Sequence, residues 1–438
     1  MKMLFAVDLH TIRENPWGYQ AVTNALCETC QKYREHLPVW NGLRPRVVVT
    51  KHDVVGTNAP YIVLLPNQVV EALTEFSFRW DDSAIEAWCD LMLGKGPIAE
   101  LYWDVLEWLA RTQGPDGFAY WGSNHTIKKF CEANGLQSVA MELGPTRPPF
   151  RETRYCDFMG VNGDSHSRVI NPAKFKPLNL ERWRCFGGIQ YADGRRQDAF
   201  FTPLTTRWAE KIYRSHKPIA LVIMQLDDDS NCLVHSSYSG MAQMTEEIVP
   251  KLVNAGWQVF VKPHPGAAPH MNQTSARQRN VVGHANAREF IESRYPSGEA
   301  VWLDDVPANE YVSLLHKIDA AISVNSSMGF EALLAGKIAI TLGNAPYNIQ
   351  SKLPTLDDLI NGRIDREKYN NYASRVATIM LKHYLYPGNM LNSPSTLSFA
   401  INRNTLLADA YMRGGDDLLT DAVLDNPVEP SMYEDFMI

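Results

Sequence analysis

The sequence lacks several features that would assign a function class at once. None of its 438 residues belongs to an apolar run near the ~20 residues that a membrane span requires. The opening stretch, Met1 to Asp8, has too short an apolar run for a signal peptide. There is no run of basic residues, and the net charge of −7 argues against a nucleic-acid binder. We therefore expect a cytoplasmic protein.

Common cofactor and metal motifs are also absent. No Gly-x-Gly-x-x-Gly follows the predicted strands that end at Val7 and Met224, and there is no Walker A sequence. The seven cysteines are irregularly spaced. Cys27 and Cys30 form one Cys-x-x-Cys without a second pair, which predicts reduced thiols on a helix face rather than a zinc site.

What is present is an alternation of strands and helices, which predicts parallel, doubly wound α/β sheets. We predict a GT-B-like fold in which two Rossmann-like domains face each other across a cleft. The predicted divisions are an acceptor-side domain at 1–215, a nucleotide-sugar-binding domain at 216–365, and helices with a loosely packed tail at 366–438. Phe150 to about Arg195 is predicted to be an irregular excursion of the first domain, and the tail from Leu419 to be loosely packed.

A strand-to-helix turn stands out in the second domain. The apolar run Ile318 to Ser323 predicts a buried parallel strand, and Met328 to Ala335 favours a helix that Gly336 ends. Ser326 and Ser327 then lie at a helix N-terminus, where free backbone N–H groups and the helix dipole favour an anion. The same pattern fits a serine that only caps its own helix.

A second loop supplies cationic groups. Trp257 to Val261 predicts a strand, and Lys262, Pro263, His264 and Pro265 follow it. Because the two prolines fix the backbone, the lysine and the histidine are held at the carboxyl end of a strand, where open α/β sheets bind ligands. Together with a helix N-terminus on another loop, these groups suit a phosphate.

Acidic residues follow the first predicted strand of the second domain. Ile219 to Met224 predicts that strand, and Asp227, Asp228 and Asp229 come after it. Glu142 ends a predicted strand of the other domain and should face the same cleft. Two acids that approach a sugar from different sides suit glycosyl transfer, one as nucleophile or base and the other handling the proton. The residues alone do not choose among the three aspartates.

Together these motifs resemble those of the bacterial capsule and lipopolysaccharide β-Kdo transferases. Gln225-Leu-Asp-Asp-Asp-Ser230 is similar to the family pattern Gln-Val-Glu-x-Asp-Ser, and Lys262-Pro-His-Pro265 to its His-Pro motif. Ser326 to Lys337 resembles the family's Ser-x-x-Gly-Phe-Glu-Ala-Leu-x-x-Gly-Lys, and Glu142 to Arg147 its Glu-Asp-Gly-x-x-Arg element. The resemblance covers roughly residues 118–350, and the run that begins at Phe330 is its most specific part.

The resemblance implies a GT-B enzyme that moves Kdo (3-deoxy-manno-octulosonate) from CMP-β-Kdo to a saccharide acceptor, with retention of configuration. Asp229 stands at the position of the family's aspartate and is the expected nucleophile, with Glu142 as acid/base for the acceptor hydroxyl. The residues expected to bind the CMP donor are Gln225, Lys262, His264, Pro265, Ser326, Ser327, Gly329 and Glu331. Those expected on the acceptor or sugar side are Asp8, Arg147 and Asp228.

The resemblance also bears on partners. A nucleotide-sugar donor and a saccharide acceptor are expected as substrates, and neither a bound metal nor a cofactor is expected. Envelope polysaccharide synthesis also allows a peripheral position at the inner face of the inner membrane.

Two departures from the family pattern leave alternatives open. Leu143 replaces the family's aspartate, and Asp227 replaces its glutamate. The family pattern therefore does not fix how this chain binds its acceptor. Asp227 and Asp229 also imitate an Asp-x-Asp metal site. A CMP-sialic acid transferase, a CDP-polyol phosphotransferase or a UDP-sugar 2-epimerase would carry similar loops. A non-catalytic partner in polysaccharide assembly, from a different class of function, would tolerate loss of Asp229.

Overall fold

The computed structural model describes most of the chain as two parallel sheets covered by helices, as the alternation predicts. The residues described are 1–7, 17–35, 43–50, 59–77, 82–146, 152–180, 188–190, 196–198, 204–205, 208–268, 278–304 and 306–428.

The first sheet contains five parallel strands in the order β3-β2-β1-β4-β5, extended by β6, which is antiparallel to β5, and by β14, which is antiparallel to β6. The bounds are β1 Lys2–Ala6, β2 Arg44–Val49, β3 Ile62–Leu64, β4 Gly117–Trp121, β5 Gln137–Leu143, β6 Thr153–Asp157 and β14 Tyr386–Pro387. Both faces are buried, since Met3 and Phe5 of β1 join one core cluster while Leu4 and Ala6 join another. Helices therefore cover the sheet on both sides.

The second sheet is entirely parallel and has the order β11-β10-β9-β12-β13. The bounds are β9 Ile219–Ile223, β10 Gln258–Lys262, β11 Ala300–Trp302, β12 Ala320–Ser323 and β13 Ile338–Thr341, and a separate ribbon joins β7 Gly188–Gln190 to β8 Arg196–Asp198. Counted within each domain, the parallel strands of both sheets follow the order 3-2-1-4-5 of a Rossmann unit. The strand order reverses between β9 and β12.

Helices connect the strands, as the predicted alternation requires. Their bounds are α1 Trp17–Glu35, α2 Asn67–Thr74, α3 Asp82–Leu93, α4 Gly96–Gln113, α5 His125–Asn134, α6 Ala209–Arg214, α7 Ser230–His235, α8 Met241–Asn254, α9 Gln278–Arg294, α10 Ala308–Lys317, α11 Ser327–Leu334, α12 Leu356–Ile360, α13 Arg366–Thr378, a π-helix Ile379–Tyr384 and α14 Pro394–Asp425. In the part of the chain that the structure describes, none of these is long and apolar enough to cross a membrane.

The described cysteines are reduced thiols. No disulfide joins the six cysteines among the described residues. Cys27 and Cys30 both lie buried on α1, and burial raises the pKa of the Cys30 thiol, with Cys27 adding to the effect. They are thiols packed on a helix face, as predicted.

The excursion predicted to be irregular, Phe150 to about Arg195, contains a strand. β6 pairs antiparallel with β5, and short 3₁₀ turns at Asn162–Asp164 and His166–Val169 follow it. The sequence of β6, Thr-Arg-Tyr-Cys-Asp, carries no apolar run, so only its pairing with β5 reveals it. Residues 181–187 and 191–195 lie outside the described ranges.

The prediction of a loosely packed tail from Leu419 is wrong for the residues described. α14 packs against α1, β5 and β6, and Leu419, Val423 and Val428 are fully buried. Gly414 and Gly415 interrupt the helix with non-helical backbone, which breaks the periodicity that would have predicted it. β14 and α14 thus return to the first sheet, while α13 packs on the second domain through the Tyr369 hydroxyl, which donates to the Lys337 carbonyl (2.6 Å).

We expect Leu419→Ala to lower the free energy of unfolding by about 2–4 kcal/mol, because truncating a buried leucine removes apolar contact and leaves a cavity. Urea denaturation followed by circular dichroism measures the change. Leu418→Ala is the matched control, since Leu418 is 45% exposed and should cost less than about 1 kcal/mol. Small and equal losses for both variants would contradict a packed C-terminal helix.

Candidate functional site

The loops predicted to bind the donor follow three neighbouring strands of the second sheet. β9 lies between β10 and β12, so the acidic loop, the Lys-Pro-His-Pro loop and the Ser326 turn emerge from adjacent strands at one edge. Because the strand order reverses between β9 and β12, this edge is the switch point at which open α/β sheets bind ligands. The fold therefore brings the three predicted loops together.

Asp227, the first aspartate of the acidic loop, is enclosed. It is 4% exposed, and its Oδ1 accepts a hydrogen bond from the Met241 N–H at the start of α8 (2.7 Å). A Cβ atom on Gly283 of α9 would overlap its Oδ2, so only glycine fits there. Burial raises the pKa of Asp227 to about 6, against the opposing effects of the Met241 hydrogen bond and Arg279. Asp227 therefore caps α8 from the interior of the domain.

The other two aspartates differ from each other. Asp228 is 1% exposed, and its backbone N–H donates to Oδ1 of Asn280 on α9 (3.2 Å). Asp229 is only half-buried. Its carbonyl accepts hydrogen bonds from the N–H groups of Cys232 (2.9 Å) and Leu233 (3.1 Å), and these bonds form the first turn of α7. Asp229 is thus the member of the triplet whose side chain is not enclosed.

The Lys-Pro-His-Pro loop fixes its histidine in one tautomer. Nδ1 of His264 accepts a hydrogen bond from the Gly266 N–H (3.0 Å), so in the neutral ring the proton is on Nε2. His264 is half-buried, as are Lys262 and Gln225 on the neighbouring loop, and Pro265 is exposed at the start of a 3₁₀ turn. The imidazole therefore presents a donor, Nε2–H, away from its own turn.

A buried histidine on α9 supports this loop. Nε2 of His284 accepts from the His264 backbone N–H (3.2 Å), which leaves its Nδ1–H to donate to the Asn280 carbonyl (3.0 Å). Burial lowers the pKa of His284 to about 4, and His264 lowers it further. The neutral ring that this hydrogen-bond pattern needs is therefore maintained near neutral pH.

One face of α9 supports two of the three loops, a role that no motif in the sequence predicts. Asn280, Gly283 and His284 have the i, i+3, i+4 spacing of one helix face, and contact Asp228, Asp227 and His264 respectively. The spacing places these residues on one face of the helix. Polar residues on a helix face ordinarily predict exposure to solvent, so the sequence does not predict that this face packs against the loops.

At the strand-to-helix turn, Ser326 is a helix cap. Its Oγ accepts from the Met328 N–H (3.3 Å), and its carbonyl accepts from the Gly329 N–H (3.0 Å) and the Tyr347 hydroxyl (2.9 Å). Ser327 is the first residue of α11 and is half-buried. Ser326 is thus confirmed as the N-cap of α11. The N-terminus of α11 follows β12 and therefore lies at the switch point.

Two further residues expected at the donor site lie behind the turn. Gly329 is buried where a Cβ atom would overlap the Tyr347 hydroxyl. Glu331 is 4% exposed and accepts a hydrogen bond from the Tyr311 hydroxyl on α10. Both support the turn in this structure, and their contact with a nucleotide stays a prediction.

On the first domain, Glu142 lies near the carboxyl end of β5. Its Oε1 accepts from the N–H of Leu143 (2.7 Å), and its Oε2 lies 3.6 Å from where a Cβ atom on Gly122 would be, beyond the end of β4. Glu142 is half-buried. The other residues predicted on this side, Asp8 and Arg147, lie outside the described residues.

A cluster of ionisable side chains that no sequence motif predicts joins the domains. Oδ2 of Asp164 lies 2.9 Å from Nε2 of His125 at the start of α5 and 3.7 Å from Nε2 of His235 at the end of α7. Burial raises the pKa of Asp164, but the His125 hydrogen bond and the charges of His125 and His235 outweigh it and lower the pKa. Burial lowers the pKa of His235, and Asp164 and Asp229 oppose that shift only in part. These residues are far apart in sequence, so no local motif predicts the cluster.

Two Rossmann-like domains, in contact through loops at the carboxyl ends of their strands, define a GT-B-like protein. Residues 184–369 match the family model described as capsule polysaccharide biosynthesis protein. The predicted resemblance to capsule synthesis proteins is confirmed over this segment. The matched segment contains the acidic loop, the Lys-Pro-His-Pro loop and the Ser326 turn, but it is less than half of the chain.

Individual proteins show weaker similarity. The capsule polysaccharide export protein KpsS of Escherichia coli is 22% identical over 268 residues, which cover 51% of this chain and 64% of that protein. The match therefore spans less than two thirds of the relative's length. The β-Kdo 2,4 and 2,7 transferases of Thermosulfurimonas dismutans KpsC are 16% and 15% identical, and each comparison covers 65% of this chain. These comparisons cover 88% and 82% of the solved chains, with TM-scores of 0.36 and 0.34. Such scores do not define an activity for this chain.

The buried Asp227 leads to a pH-dependent prediction. Because its pKa is raised from 3.8 to about 6 in the folded chain, the carboxyl favours folding below about pH 4, and this contribution is lost as the pH rises through about 6. Asp227→Asn keeps an acceptor for Met241 and cannot ionise. Between these pH values we expect the wild type to lose up to about 3 kcal/mol relative to Asp227→Asn, measured by urea denaturation. Asp229→Asn should follow the wild-type profile, and parallel profiles for Asp227→Asn and the wild type would contradict the burial argument.

Proposed function

We propose that this protein is a retaining glycosyltransferase that moves Kdo from CMP-β-Kdo to a saccharide acceptor during bacterial capsule polysaccharide synthesis. The observation that carries the proposal is the arrangement at the switch point of the second sheet. One half-exposed aspartate, an oriented histidine donor and a helix N-terminus emerge there from adjacent strands. The matched capsule family segment and the names of the KpsC enzymes support the biological setting.

The donor phosphate is assigned to the groups that can neutralise it. His264 offers Nε2–H, because the Gly266 N–H occupies Nδ1. Lys262 adds a positive charge from the same loop, and the N-terminus of α11 adds the dipole and N–H groups of its first turn. Stabilising the departing CMP by these groups lowers the barrier to breaking the glycosidic bond. None of these contacts requires a metal.

Asp229 is assigned as the nucleophile. Asp227 caps α8 from the interior and Asp228 is 1% exposed, so neither side chain is presented as Asp229 is. The Asp229 carboxylate attacks the anomeric carbon, the bond to CMP breaks, and the phosphate retains the electron pair. The acceptor hydroxyl then displaces the carboxylate and gives its proton to Glu142. Two inversions give net retention.

Binding of CMP tests the phosphate site. We expect His264→Asn to weaken CMP binding by about 1–3 kcal/mol in calorimetry, because asparagine can still accept from Gly266 but lacks the distal donor. His216→Ala removes an exposed histidine of the same domain and should leave the affinity unchanged. Equal affinity for His264→Asn and the wild type would remove His264 from the phosphate site.

Turnover tests the nucleophile. We expect Asp229→Asn to bind CMP normally and to lower kcat by about 10³-fold or more, since the shape is kept while the reacting charge is lost. Asp228→Asn, the matched control, should cost at most about tenfold. Nucleotide release from CMP-Kdo, CMP-sialic acid and a CDP-polyol would identify the donor class.

Mass spectrometry tests the covalent intermediate. Glu142→Gln, given donor without a good acceptor, should accumulate a sugar adduct on the peptide from Gln225 to Asn231. An inverted product and a near-normal rate for Asp229→Asn would contradict double displacement. Activity that is lost in EDTA and restored by Mg²⁺ would instead favour an Asp-x-Asp metal site.

A further inference from the structure

The loop after β6 places a carboxylate between the two domains. Gly163 lies where a Cβ atom would overlap the imidazole of His235, so the loop touches the end of α7 directly. On the same loop, the Ser167 hydroxyl donates to the Pro346 carbonyl (2.8 Å) and Nη2 of Arg168 donates to Oδ1 of Asn344 (3.0 Å). The first domain is therefore packed against the carboxyl-edge loops of the second.

Asp164 on this loop lies between two histidines, one from each domain. His125 Nε2 hydrogen-bonds its Oδ2 at 2.9 Å, whereas His235 Nε2 lies 3.7 Å away. The His235 side chain is 5% exposed, and its Nε2 has no hydrogen-bond partner among the described residues. A buried polar atom without a partner is costly, and a shift of less than about 1 Å would form a normal hydrogen bond to Asp164.

α7 connects this contact to the candidate nucleophile. The helix is only six residues long, with the Asp229 carbonyl at its start and His235 at its end. Its end is also fixed to the second sheet, since the Asn344 N–H donates to the His235 carbonyl (2.9 Å). A helix of this length spans about 9 Å, so His235 and Asp229 lie at opposite ends of one short helix.

We propose that Asp164 is a positioning residue that acts through His235 and α7 to hold Asp229 in its reacting position. The 3.7 Å contact closes to a hydrogen bond when the domains move together on their substrates. Asp164 does not touch the substrate. This inference rests on the proposed function for the role of Asp229, but the structural coupling can be measured without any turnover.

Hydrogen exchange of the full chain measures the coupling. Asp164→Ala should increase exchange at the amides of Cys232 and Leu233, which donate to Asp229, by about fivefold. Ser167→Ala is the matched control, because it removes an interdomain hydrogen bond of the same loop without contacting α7. Unchanged exchange at α7 in Asp164→Ala would overturn the proposal.

Kinetics separates positioning from a purely structural role. With CMP-Kdo as donor, Asp164→Ala should lower kcat about 10- to 100-fold and leave KM within about threefold. Asp164→Glu should recover part of kcat, and adding His235→Gln to Asp164→Ala should cause little further loss, since the two residues act as one unit. A raised KM with normal kcat, or fully additive losses, would overturn the proposal.

The controls keep the two hypotheses apart. If Asp164→Ala fails to fold, Asp164→Glu and His235→Gln each still alter the contact. Their kcat values and their amide exchange at α7 can then be compared with those of the wild type. If the wild type does not use CMP-Kdo, the proposed function fails, whereas the exchange experiment still decides whether Asp164 restrains α7.

Discussion

The hydrogen bond from the Met241 N–H to Asp227 is the contact on which the candidate site depends. It fixes the first aspartate of the acidic loop inside the protein and caps α8. Because Gly283 lets α9 approach this carboxylate closely, the same contact sets the position of α9 relative to the loop. The loop is then held so that Asp228 is enclosed and Asp229 is not. A run of three chemically equal residues is thereby divided into two buried side chains and one that is only half-buried.

α9 extends that constraint to the Lys-Pro-His-Pro loop. Its Asn280 and His284 face the acidic loop and the Lys-Pro-His-Pro loop, and the neutral state of His284 allows it to accept from His264. Burial lowers the pKa of His284, so the support persists at neutral pH. One polar helix face therefore fixes the backbones of two loops that follow different strands, as a preorganised site requires.

The first domain supports the candidate site through side-chain and backbone contacts with the second domain, and no sequence motif marks these contacts. The loop after β6 meets α7 and the segment around Asn344, and the C-terminal helix α14 returns to pack on β6. The Asn404 side chain donates to the Cys156 carbonyl (3.0 Å) and its Oδ1 accepts from the Phe158 N–H (3.0 Å), which fixes the start of that loop. The C-terminal helix thus supports the interdomain contact from behind, although it lies far from the site in sequence.

The sequence by itself determined the two Rossmann-like units and the loops of the candidate site. Buried apolar runs specify parallel strands, and glycine, proline and serine mark where those strands end, so local patterns place Lys262, His264 and Ser326 correctly at one sheet edge. Only the tertiary structure decided which aspartate is not enclosed, because burial depends on α8 and α9 packing around the loop. It also decided the packing of α14, whose periodicity Gly414 and Gly415 interrupt, and the cluster of His125, Asp164 and His235. These features depend on contacts between residues distant in sequence, and no local pattern records such contacts.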